Sequence, residues 1–214
     1  MYVVTADQVG SRTDVDRSAA MQRELQERFG ALLRLPVDQT AGDELQVLTD
    51  DAAAATDLVL HLARDGHWSI GLGVGDVREP LPDAVRKATG GAFFAAREAV
   101  EAAKRAEARF ALRTDGDDSG LLPPGEVEAI VRLLLLLRDR RTPQGWEAVD
   151  LVGAGRSQKH AAELLGISDA AVSQRLRAAM WSADDEARPA IVRLIASLGG
   201  GDGEDRAAAD DSGT

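Results

Sequence analysis

Two adjacent carboxylates follow a glycine in TAGDELQ, residues 40–46, and a third acid, Asp7, follows the β-rich stretch YVVTA at residues 2–6. If the two segments lie side by side, Asp7 and Asp43 form a pair of like charges. Such a pair raises the proton affinity of one member unless a cation intervenes. Hard divalent ions such as Mg²⁺ or Mn²⁺ accept carboxylate oxygens and leave positions free for phosphate oxygens, so a metal site is one resolution. The other is plain turn chemistry, because Gly-Asp is common at a hairpin tip and an Asp ending a strand often caps the next turn. Glu44, next along the strand, is expected to face away from Asp43. Ser11 and Arg12 suit either a phosphate contact or the cap of the following helix.

A second pattern is RSQKHAAELLGISDAAVSQRLRAAMW, residues 156–181. Ala161, Leu164 and Leu165 give one helix an apolar face, Gly166 supplies a turn, Ile167 plugs the junction, and Val172 and Leu176 stand i, i+4 on the next helix. Ser168 occupies the expected N-cap. This is a helix-turn-helix pattern with 169–179 as the recognition helix. It leaves Asp169, Ala170, Ser173, Gln174 and Arg177 outward, where Gln reads adenine and Arg reads guanine in a major groove. Ser157, Gln158, Lys159 and Arg175 suit phosphate contacts. The segment carries four basic residues against Glu163 and Asp169, a net of +2 within a chain of net −11. So small a footprint predicts weak affinity per copy and a two-copy binder.

These residues need elements to hold them. The pattern reads strand (2–6), helix (about 16–33), hairpin (37–41 and 44–49), helix (51–64, capped by Asp51) and strand (68–77), followed by an Ala-rich helical segment over 91–113. In WSIGLGVGDV, period two places Gly71, Gly73 and Gly75 on one strand face, and a bare face signals close approach of another backbone or a ligand. The order β-α-β-β-α-β predicts a ferredoxin-like α+β domain with an antiparallel sheet over 1–113, bringing Asp7 beside Asp43. TDGDDSGLLPPG predicts a linker at 114–124, and helices at about 125–140, 145–153, 157–165, 169–180 and 187–198 form an all-α helix-turn-helix domain, 125–198. The polar residues 199–214 are expected to be disordered.

Composition narrows the classes. A chain of 214 residues, 44% hydrophobic and 29% charged, suits a globular protein. No apolar run approaches a membrane span of about 18 residues. The start MYVVTADQ shows no basic n-region, so a cytoplasmic location is expected. With no cysteine there is no thiolate zinc site or thiol nucleophile, and His61, His67 and His160 lack ligand spacing. The acidic balance argues against broad nucleic-acid coating.

VVTADQVGSR with GDELQ, then IGLGVGDV and GGAFFAAREAVEAAKR, resembles the SatD family, whose first domain is similar to the palm of nucleotidyl cyclases and GGDEF proteins. The resemblance covers most of the chain. It implies that Asp7 and Asp43 match metal ligands, with Ala6 and Gln8 offering backbone carbonyls, and that Arg97 matches an arginine that meets a nucleotide ligand, to which Ser11 and Arg12 are added as candidate phosphate contacts. It departs from the cyclase pattern at Phe93, where an Asn four residues before Arg97 is required, and from the GGDEF signature at Ala41 and Leu45. The expected function is a homodimeric regulator binding duplex DNA, with no membrane partner and a degenerate palm that senses nucleotide or metal. The rival expectation is a Mg²⁺- or Mn²⁺-dependent nucleotidyl transferase or cyclase using Asp7 and Asp43.

Overall fold

A computed structural model describes residues 1–11, 15–40, 42–116 and 120–199. These residues form an α+β protein in which a sheet-bearing region precedes a run of helices. The strands are β1 (Tyr2–Gln8), β2 (Asp38–Gln39), β3 (Glu44–Thr49), β4 (Trp68–Val74) and β5 (Phe110–Thr114). Helices α1 (Ser18–Phe29), α2 (Ala52–Asp65) and α3 (Gly91–Ala103) connect them. The strand order is β2-β3-β1-β4-β5. The first four form the expected ferredoxin-like antiparallel arrangement, and β5 adds to β4 in parallel.

β5 is a correction to the continuous helical segment expected over 91–113. The helix stops at Ala103, and the chain turns through Ala108 and Arg109, both at positive φ (55° and 47°), before extending. Positive φ at non-glycine residues leaves no compositional trace, so the Ala-rich pattern conceals the break. As an edge strand, β5 would expose unpaired backbone groups. Glu128 accepts from the Leu112 N–H at 2.7 Å, and the Arg132 Nε–H donates to the Phe110 carbonyl at 2.9 Å. Both side chains come from α4 (Pro124–Asp139), which therefore covers the edge with hydrogen bonds.

The glycine face of β4 receives the backbone of α3. A Cβ on Gly71 would stand 2.7 Å from the Ala96 carbonyl oxygen and 2.8 Å from the Val100 Cα; one on Gly73 would stand 2.7 Å from the Ala96 Cα. Cross-strand pairing puts Val3 opposite Gly73 and Thr5 opposite Gly71, so this face continues across β1. The alternate residues Val4, Ala6, Ile70 and Leu72 are buried on the other face, with α2 packed on β1 and β4. Asp51 caps α2 as expected, accepting from the Ala53 N–H at 2.8 Å.

The chain divides into two compact units, Met1–Arg132 together with the segment beginning at Ile191, and Leu133–Ala190. The 114–124 segment thus lies within the first unit, and its residues 117–119 lie outside the described residues, as do 200–214 of the expected tail. After α4 come α5 (Pro143–Gly153), α6 (Gln158–Leu165), α7 (Asp169–Ala178) and α8 (Trp181–Leu198). The second unit buries Ala148 and Val149 of α5, Ala161 and Ala162 of α6, and Val172 and Leu176 of α7 in one core. No helix among the described residues is long and apolar enough to cross a membrane.

Candidate functional site

In the first unit the hairpin brings the acids to one end of the sheet. The Gln8 N–H donates to the Asp43 carbonyl at 3.3 Å, which sets the hairpin tip beside the end of β1. The direct cross-strand partner of Asp7 is Glu44, with Ser69 on the other side. Paired residues share a sheet face, so Glu44 stands on the Asp7 side, whereas the sequence reading considered it only relative to Asp43. The Glu44 carboxylate accepts from the Thr40 hydroxyl at 2.7 Å.

Sequence reasoning missed the cation of this cluster. Lys104, directly after α3, holds its ammonium 3.4 Å from Asp7 Oδ2 and 2.7 Å from Glu101 Oε1. Burial pushes the Asp7 carboxyl above its ordinary range; Lys104 opposes that shift, while Asp43 and Glu44 reinforce it. The Lys104 ammonium is in turn held above its ordinary value, first by its hydrogen bond to Glu101 and secondarily by Asp7. The oxygen donors suit a hard divalent ion in type. They fit one only in part, because an ammonium already faces Asp7 and no group of three or more metal-ligating His, Asp or Glu side chains converges among the described residues.

A raised carboxyl pKa has a definite sign. The folded protein retains the Asp7 proton to higher pH than the unfolded chain does, so stability falls as pH rises from the unfolded pKa through the folded one. Asp7→Asn is therefore expected to raise the melting temperature at pH 7. The gain should shrink to nothing below about pH 3.5, where both states bind the proton, and paired thermal melts across pH check this.

Of the three nucleotide candidates, Ser11 and Arg97 do not come together. Ser11 lines a hollow of about 300 Å³ with Gln8, Asp16, Gly42 and Asp43, and two acids there disfavour a phosphate. It does not cap the next helix, which begins at Ser18, where Asp16 Oδ1 accepts from the Ser18 N–H at 2.9 Å. Arg12 lies outside the described residues. Arg97 lines a separate cavity of about 560 Å³ beside β2 and β3.

The second unit carries the helix-turn-helix geometry. The Ser157 hydroxyl caps α6 by accepting from the His160 N–H, and the Ser168 hydroxyl caps α7 by accepting from the Ala171 N–H, each at 3.2 Å. Between the helices Gly166 takes a left-handed conformation (φ 65°), which suits a residue without a Cβ. Leu164 corrects the expected apolar face: it is 57% exposed, and Ala162 is buried instead. Gln158, Lys159, Asp169, Gln174 and Arg177 are exposed on α6 and α7. Ser173 accepts from Arg177 Nη1 at 2.9 Å and so orients that guanidinium along the helix. Arg175 pairs with Glu147 of α5 at 3.0 Å, an ion pair that a phosphate contact would have to share. No protein-family model matches this chain, and neither does any curated protein or solved structure.

Proposed function

We propose that the protein is a SatD-like regulator that binds duplex DNA through α6 and α7, as a homodimer on a two-fold site. The observation that supports it best is the division of labour on α7: Val172 and Leu176 are buried, while Gln174 and Arg177 stand outward, and Gln158 and Lys159 are exposed in the first turn of α6. Gln174 and Arg177 are the base-reading side chains, and Lys159 with Gln158 contacts backbone phosphates. The first unit serves as the sensing module, with Asp7, Asp43 and Glu44 gathered near one end of the sheet and Lys104 paired to Asp7.

Selection of bound duplexes from a random library by the full-length protein tests this reading. An enriched two-fold site is expected, and Arg177→Ala should weaken binding to it by about 10- to 100-fold and relax preference at one position. Lys159→Ala should weaken all duplexes alike and lower the salt slope by about one. No enrichment at any salt concentration would remove the proposal.

A further inference from the structure

The cavity that Arg97 lines stands apart from the carboxylate cluster. At about 560 Å³ it falls within the range of roughly 300–1,000 Å³ typical of small-molecule sites. Neither Asp7, Asp43 nor Ser11 lines it, so the carboxylate cluster plays no part in it. Two arginines face it, with different charge states of pairing. Arg86 binds Asp38 through Nη1 at 2.8 Å, which offsets its charge. Arg97 makes no ion pair among the described residues, and no carboxylate lines the cavity, so one positive charge is left uncompensated in a strongly acidic protein.

Two further side chains line the cavity. Gln46, on β3, is 7% exposed and lines the cavity wall, so its side-chain amide offers both a donor and an acceptor there. Phe94, on α3, is 73% exposed, while its neighbour Phe93 fills the core beneath. A phenyl ring held in solvent beside an unpaired guanidinium offers a face for a flat ring and a charge for what that ring carries.

We propose that this cavity binds a small organic anion bearing a planar ring. Arg97 holds the carboxylate or phosphate, Phe94 stacks on the ring, and Gln46 hydrogen-bonds the ring edge. The binding needs no metal. It is also independent of the DNA reading, since it is measured on the protein without DNA.

Calorimetric titration of the full chain with salicylate and with adenosine 5′-monophosphate, in the presence of a chelator, tests the proposal and separates the carboxylate from the phosphate form. Saturable binding of one of them is expected, about tenfold weaker in Arg97→Gln and severalfold weaker in Phe94→Ser. Both variants should keep wild-type unfolding curves, because both side chains are exposed. Inorganic phosphate should bind more weakly than the ring-bearing probe. Absence of saturation by either probe up to about 10 mM would overturn the proposal. So would affinity unchanged in both variants, or binding that requires Mg²⁺ and is lost in Asp43→Asn rather than in Arg97→Gln.

Discussion

Gly73→Val is expected to destabilise the first unit by about 3 kcal/mol or more, the upper end of overpacking costs. A Cβ there would meet the main chain of α3, with the Ala96 Cα 2.7 Å away and the Ala92 carbonyl and Ala96 nitrogen closer still. Main chain cannot rotate aside as a side chain can, so helix and strand must separate. Valine's strand preference offsets at most about 1 kcal/mol of this. Gly125→Ala is the matched control: its added methyl meets nothing within 4 Å in the first turn of α4, and it should be neutral or slightly stabilising. Urea titrations followed by circular dichroism, with hydrogen exchange on β1 and β4, distinguish the two. Equal stability of Gly73→Val and wild type would mean that α3 does not seat on the glycines.

The second large effect belongs to Asp184, which is 1% exposed in the second unit. Its Oδ2 accepts from Arg138 Nη1 at 2.7 Å and from Arg141 Nη2 at 2.6 Å, while Arg141 Nε donates to the Ala179 carbonyl at 2.7 Å. Both guanidiniums lie over the Trp146 ring, with their central carbons 5.0 and 4.7 Å from its centroid. Burial draws the Arg138 pKa below its ordinary value, and Asp184 is the main opposing influence. Asp184→Ala leaves two like charges facing each other out of water, and the expected loss is about 3–5 kcal/mol. Replacing Arg138 and Arg141 with Met and Asp184 with Leu together should recover part of it, because removing the buried ions as a whole is far cheaper than orphaning one side. Urea unfolding of the single and triple variants decides the matter; additive losses would show that the ions are not coupled.

What the sequence made legible was whatever local chemistry alone requires. Three alternating glycines demand a close neighbour, and α3 supplies its backbone. Ser168, Gly166, Val172 and Leu176 specify cap, turn and core within one short segment, and each stands as read. The hairpin and the order of the first four strands follow from alternation and one turn signal. Features set by distant partners were not legible. β5 depends on a left-handed step at Ala108 and Arg109, and Lys104 reaches Asp7 only because α3 runs toward the end of β1. The spacing of Leu164 suits a buried face, yet the small Ala162 takes the interior position where α6 meets its neighbours. The cavity at Arg97 gathers residues from β2, β3, α3 and the segment before α3, which no sequence window joins.

The division into units has a consequence for the order in which the protein is made. Synthesis runs from the first residue to the last, and the first unit includes the segment that starts at Ile191. There the Ala196 carbonyl accepts from the Tyr2 hydroxyl at 3.5 Å, and the Ser197 hydroxyl accepts from the Leu121 N–H at 3.1 Å. The helix-turn-helix core is therefore fully emitted before the sheet-bearing unit receives its closing piece. A chain that stops short of residue 191 carries every residue that core needs and a first unit without its last segment. The turns of α8 after residue 191 thus tie the second residue to chain that is made only after the second unit's core.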